Sequence, residues 1–177
     1  MRLRVIAGEF RSRLLKTVPG LETRPTPDRL RESLFNVLAP RIEGTVFVDA
    51  YAGTGAMGIE ALSRGARRAI FVERSRPAVE IIRENLDALG IADRAEVFTG
   101  KAAPVLERIE ADLVFLDPPY ALVKEYDQSL ALLAERPVAL VIAQHAFRHQ
   151  LAEDYGHLRR TRVLRQGDNA LSFYQTL

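Results

Sequence analysis

Apolar and polar positions change period along this chain in a regular order. Short apolar runs of strand length alternate with stretches whose apolar residues recur every three or four positions. From residue 44 the pattern predicts a strand at Val46–Asp49, a helix at about 56–64, and a strand at Ala69–Glu73. A helix at 76–89 follows, with Val79, Ile82, Leu86 and Leu89 as its core face. Then come a strand at 94–98, a short helix at 103–109, a strand at Asp112–Asp117, a helix at 124–134 and a strand at Val138–Ala143. Gly65 and Gly90 stand where two of the helices should stop. Alternation of this kind calls for a parallel sheet of the α/β class. The tail, 157–165 and 170–176, reads as two antiparallel strands joined at Gly167, completing seven strands.

The first forty residues have a different pattern. Residues 3–7 and 12–18 are β-prone stretches separated by Gly8, which predicts a hairpin carrying Arg2, Arg4, Arg11, Arg13 and Lys16. Thr23 to Asp28 is a stiff turn in which Thr26 suits an N-cap and Pro27 the first helical position. The helix that follows runs to about Ala39, with Leu30, Leu34, Val37 and Leu38 as its buried stripe. The expected organisation is a basic extension at 1–22 and one α/β domain at 23–177.

Composition narrows the class. With 177 residues, 47% of them hydrophobic, the chain suffices for one compact domain. It has no cysteine, so disulfides and thiolate metal sites are excluded. His145 and His149 stand four apart but lack an acidic partner in a metal-binding pattern, so no metal is expected. No apolar stretch is long enough for a membrane span or a signal peptide, which predicts a cytoplasmic protein. The net charge of +2 is unevenly placed: residues 1–41 hold nine basic and four acidic residues. A basic arm beside a near-neutral domain suggests a polyanionic substrate, most simply nucleic acid.

Candidate chemistry lies at two strand ends. Asp117-Pro118-Pro119-Tyr120 follows the apolar run Leu113–Leu116, where an open α/β sheet presents ligands. This suits methylation of an exocyclic amino nitrogen on a base, a poor nucleophile because its lone pair is delocalised. A carboxylate and a rigidly held carbonyl can accept its two hydrogens, and an aromatic ring can stack on the base. The rival interpretation is a strand ending in an Asp-Pro turn.

Upstream, Asp49 closes a strand that enters a glycine turn containing Gly53, Gly55 and Gly58, the spacing of a dinucleotide fingerprint. Glu73 ends the next strand about 20 residues on, as a ribose-binding acid should. A nicotinamide or flavin dinucleotide and S-adenosylmethionine both fit this pattern. Asp49 favours the second, since a carboxylate there repels a pyrophosphate and attracts an ammonium.

Several segments taken together resemble the RsmD family of bacterial 16S ribosomal RNA guanine-N2 methyltransferases. They are Arg4–Arg13, Thr23–Asn36, Asp49–Ala66, Asp117–Tyr120 and Ala170–Tyr174. The resemblance implies a Rossmann-like S-adenosylmethionine-dependent methyltransferase fold, with a mostly parallel seven-stranded sheet and an antiparallel C-terminal strand. It also implies the choice of guanine and a substrate of 16S rRNA within the small ribosomal subunit; the oligomeric state is open, and a monomer fits a substrate of that size.

On that basis Asp49, Tyr51, Gly53, Thr54 and Gly55 surround the methionyl part of the cofactor, Glu73 takes the ribose diol and Arg74 flanks the adenine. Lys101 stands where the family carries an aspartate, so adenine contact there falls to the backbone of Lys101 and Ala102. Tyr51 replaces a common phenylalanine. Asp117 and the Pro118 carbonyl bind the guanine amino group, and Tyr120 stacks on the base. Arg2, Arg4, Arg11 and Arg13 hold phosphates, with Arg24, Thr26, Arg29 and Arg31 nearer the site. Arg29 is equally a helix-surface charge. The alternatives are a methyltransferase for adenine N6 or cytosine N4 of another nucleic acid, a non-catalytic RNA-binding relative, and a dinucleotide oxidoreductase.

Overall fold

The computed structural model describes residues 2–19 and 26–177. Its centre is an eight-stranded sheet, in the order β3-β2-β1-β4-β5-β8-β7-β6. The five parallel strands are β1 (Val46–Asp49), β2 (Arg68–Glu73), β3 (Ala95–Thr99), β4 (Leu113–Leu116) and β5 (Leu140–Ala146). The remaining strands, β6 (Asp154–Tyr155), β7 (Leu158–Gln166) and β8 (Asn169–Thr176), pair antiparallel. β8 inserts between β5 and β7, so it alone of the seven expected strands runs against the rest. The two-residue β6 was not expected. β5 runs on to Ala146, past the expected end at Ala143, because Gln144, His145 and Ala146 pair with Leu171, Ala170 and Asn169 of β8.

Strand residues alternate between two apolar layers. Phe47, Phe71, Leu113, Phe115 and Ile142 pack on one face against α1 (Asp28–Leu38), α2 (Ala56–Ser63) and α3 (Arg76–Leu89). Val48, Ile70, Val114, Leu116 and Val141 face α4 (Ala102–Leu106) and α5 (Lys124–Ala134). Two covered faces explain why these strands read as continuous apolar runs. The order of connection reverses between β1 and β4, so a crevice opens at their carboxyl ends, the usual ligand position of such sheets.

The helix starts show where local rules hold. α3 begins at Ser75, whose side chain accepts a hydrogen bond from Ala78 N, with proline in the first turn. α1 begins one residue later than expected: Pro27 is the N-cap, and Thr26 Oγ1 donates to Gln144 Oε1 at 3.3 Å instead of capping.

The N-terminal segment doubles back through one antiparallel bridge, Arg4 with Leu14, and through backbone hydrogen bonds from Val5 N to Arg13 O, Ser12 N to Val5 O and Leu15 N to Leu3 O, without forming two regular strands. Side chains of the domain also hold it. Glu60, fully buried on α2, accepts from Ile6 N at 2.8 Å and Ala7 N at 3.0 Å and pairs with Arg64. Ser63 Oγ accepts from Phe10 N and donates to Ala7 O. Val5 and Leu15 are buried against Ile59, Leu62 and Ile82. The boundary expected at residue 22 falls outside the described residues.

Gly8 allows this docking. Its φ is +86°, and a Cβ there would lie 2.0 Å from the backbone oxygen of Ser63. Gly8→Ala is therefore expected to destabilise the fold by about 2 kcal/mol, roughly 4–8 °C in Tm for a chain of this size. It should also open Arg11 and Arg13 to trypsin. An unchanged melting curve with an unchanged digestion pattern would show that the arm is not held in this way.

Candidate active site

The site is built from three strand ends. Asp49 is the last residue of β1, Glu73 the last of β2, and Asp117 follows directly on β4. Parallel pairing of β1 with both neighbours brings the three carboxylates to one edge of the sheet.

Asp49 is buried, and its Oδ2 accepts from Gly58 N at 3.1 Å, in the first turn of α2. Burial pushes its carboxyl up to about 7, with smaller contributions from the charges of Asp117 and Glu73. Burial likewise pushes Asp117 up to about 7. The region is crowded with negative charge in poor solvent, a condition that a cation relieves.

The glycine turn lies between Asp49 and α2. Gly53 and Gly55 have φ of +56° and +84°. A Cβ on Gly53 would meet nothing within 4 Å, so its backbone faces open space that a ligand can approach. Gly58 has a different role, since a Cβ there would lie 2.3 Å from the Phe71 ring. It lets α2 rest on β2, the close helix–strand approach expected of the third glycine. Glu73 holds the turn in place: Oε2 accepts from Gly53 N at 2.7 Å and Oε1 from Ser75 N at 2.9 Å.

The other candidates divide into groups. Tyr51, half-buried, exchanges a 3.0 Å hydrogen bond with Ser129 Oγ. Arg74 is exposed and donates to Glu125 at 3.3 Å. Lys101 is exposed at the N-cap of α4, and Ala102 is buried behind it. Pro118 is buried, whereas Tyr120 is 52% exposed and donates to Asn169 Oδ1 at 3.4 Å. Arg2, Arg4, Arg11, Arg13 and Arg29 are exposed, and the Arg13 guanidinium donates to Ala88 O at the end of α3. Arg24 lies outside the described residues. Arg31 departs from its expected place near the substrate. It is only 1% exposed and donates to Arg4 O at 2.7 Å and to Asp28, so it supports the arm from beneath.

Three buried polar residues went unrecognised in the sequence. Asn85 ties the arm to the glycine turn, since its side chain accepts from Lys16 N and donates to Lys16 O and Thr54 O. Gln144 takes the Thr26 hydroxyl on its side chain and the Tyr126 hydroxyl, at 2.6 Å, on its carbonyl. Glu60 binds the arm as described. Each is a polar residue within an apolar stripe or run, and that was the available signal. His145 and His149 belong to β5 and the turn after it rather than a helix, with ring centroids 6.4 Å apart. His145 shares a 2.8 Å hydrogen bond with Ser172 Oγ. Among the described residues, no helix is long and apolar enough to cross a membrane.

Comparison with known proteins agrees with this geometry. A family model described as conserved hypothetical protein 95 matches residues 3–175. A Bacillus subtilis protein whose name describes it as an rRNA methyltransferase (YlbH) is 35% identical, over 98% of each chain. Ribosomal RNA small subunit methyltransferase D of Haemophilus influenzae is 35% identical, over 80% of this chain and 78% of that one. Among solved structures, an Escherichia coli protein described as a methyltransferase (yhhF) superposes with a TM-score of 0.88. It is 32% identical and covers 99% of this chain and 98% of its own. An RNA methyltransferase from Salinibacter ruber, solved with S-adenosyl-L-homocysteine, shares the fold at a TM-score of 0.68 and 18% identity. That match covers 86% of this chain and 94% of the other.

Proposed function

The chain belongs to this family, the RsmD family of methyltransferases, and from that premise we propose that it methylates the exocyclic N2 of a guanine in 16S ribosomal RNA of the small subunit. S-adenosylmethionine is the methyl donor. The observation that carries the reading is the convergence of Asp49, Glu73 and Asp117 at adjacent strand ends beside an approachable glycine turn. The small-subunit relatives support the substrate, and the family resemblance supports guanine over adenine.

The residues present fit the donor. Asp49, buried and raised to about 7, is suited to an ammonium group. Glu73 offers a carboxylate for a ribose diol at the end of β2, and the backbone at Gly53 stands open beside it. When bound, S-adenosylmethionine supplies a methyl group on a cationic sulfur, a leaving group that needs no acid.

The chain then has to orient the nucleophile. Asp117 and the Pro118 carbonyl accept the two amino hydrogens of the base, which directs the nitrogen lone pair. The prolines fix that carbonyl at the edge of the sheet. Tyr120 stacks on the base. As the new bond forms, the amino nitrogen becomes acidic, and Asp117 is the nearby proton acceptor. Its raised pKa improves it in that role near neutrality. Positioning and preorganised charge supply most of the rate. Arg2, Arg4, Arg11 and Arg13 hold phosphates without reading sequence.

A pH dependence follows. An acid raised from 3.8 to about 7 in the folded chain binds its proton more tightly there than in the unfolded chain. Stability of the unliganded protein is therefore expected to fall as pH rises from about 4 to about 7. Donor affinity moves the other way, tightening between pH 6 and 8 as Asp49 ionises and releasing a proton on binding below pH 7. Calorimetry in buffers of different ionisation enthalpy checks this. Affinity that does not change over that range would contradict the role of Asp49.

Nucleoside analysis of RNA methylated by the enzyme tests the base. N2-methylguanosine at one site supports the reading, whereas N6-methyladenosine or N4-methylcytidine would replace it.

A further inference from the structure

Beside the reacting carboxylate lies a groove of about 350 Å³, lined by Tyr120, Val123, Tyr126, Ala146, Arg148 and His149. Its size falls at the lower end of small-ligand clefts, about 300–1,000 Å³. Neither Asp117 nor Pro118 lines it, so it adjoins the reacting position without covering it. None of the six lining residues is acidic, and three are aromatic or imidazole rings. The His149 and Tyr126 ring centroids are 5.4 Å apart.

Distant segments meet beside this groove, next to its lining residues Ala146 and Arg148. Phe147 N donates to Asp168 O at 2.7 Å, fastening the turn after β5 to the β7–β8 turn. The Arg165 guanidinium lies 3.7 Å from the centroid of the Phe147 ring, and its Nε donates to Gly167 O at 3.0 Å. Asn169, which opens β8 just after that turn, accepts from the Tyr120 hydroxyl. The catalytic loop, an exposed aromatic ring and two exposed arginines thus meet at one edge, with Phe147 38% exposed.

We infer that this groove seats the base of a nucleotide flanking the target, with Arg148 and the Arg165–Phe147 pair holding its backbone. The inference rests on the RNA substrate proposed above. Ring faces beside cations are the chemistry of single-stranded nucleic acid, where bases stack on aromatic residues and phosphates lie on arginine. Continuity with Tyr120 places the occupant next to the base being modified. A target base drawn out of its stack leaves its neighbour unstacked, and the groove gives that neighbour a second stacking surface.

The test is tritiated methyl transfer to small ribosomal subunits that lack the modification, comparing wild type with Arg148→Ala, Phe147→Ala and Val123→Glu. All three residues are exposed, so the fold should survive; melting curves and donor affinity verify that it does. Arg159→Ala, on β7 and paired with Asp154, is the control outside the groove. The expected result is a KM for subunits raised about tenfold or more in each of the three variants, with most of the loss in KM rather than kcat. For Arg148→Ala, the dependence of binding on salt should also weaken by about one phosphate contact. If wild type labels no RNA, the proposed function fails and this inference with it. If wild type labels the subunits and the three variants keep its KM, only the inference fails.

Discussion

Asp117→Ala is expected to lower kcat for methyl transfer by about 10²–10³-fold, while donor affinity changes far less. Asp117 follows β4 directly, and burial raises its carboxyl to about 7. Its proposed work is done on the base: it accepts an amino hydrogen, fixes the direction of the lone pair and favours charge on nitrogen as the bond forms. Those interactions strengthen toward the transition state, so their loss falls on kcat. Asp117→Asn keeps an acceptor oxygen in the same place and should lose less, about tenfold. Rapid-quench single-turnover measurements separate the chemical step from binding. Alanine and asparagine variants that both retain the wild-type rate would remove Asp117 from the chemistry.

The second large effect is expected on donor binding. Asp49→Asn should weaken S-adenosylmethionine binding about 100-fold, in the range measured when one partner of a buried charge pair is removed. Asparagine can still accept from Gly58 N, so the start of α2 keeps its hydrogen bond while the site loses its charge. The pH dependence of affinity should flatten in the same variant. The unliganded protein should melt no lower than wild type above pH 7, because a buried carboxylate beside two others has been neutralised. Isothermal titration at pH 6 and pH 8 reads both effects. Tight, pH-independent binding by the variant would mean that the donor is held elsewhere.

The parts of this site legible in the sequence depend on local rules. Asp49, Glu73 and Asp117 each close an apolar run, and parallel α/β sheets place ligands at such ends. The glycines could be assigned for the same reason: Gly53 and Gly55 take positive φ, and Gly58 must clear the Phe71 ring. The features that the sequence does not show depend on partners remote in it. Asn85 lies in the apolar stripe of α3, but its partners Lys16 and Thr54 are brought to it only by the fold. Arg31 looked like a substrate-facing charge until the arm folded over it. Thr26 satisfied the local rule for an N-cap, but Gln144, 118 residues away, took its hydroxyl. β5 outlasts its apolar run because β8, from the tail of the chain, supplies the pairing beyond Ala143. Local propensity decides when no distant partner competes, and tertiary pairing decides otherwise.

The central claim is that these three strand ends form a methyl-transfer site for small-subunit RNA. The most direct measurement is tritiated methyl transfer from S-adenosylmethionine to unmodified small subunits, with naked 16S RNA and duplex DNA alongside. The account predicts label at one RNA site with wild type and almost none with Asp117→Ala. Label on DNA alone, or no label on any acceptor while the donor still binds, would contradict it.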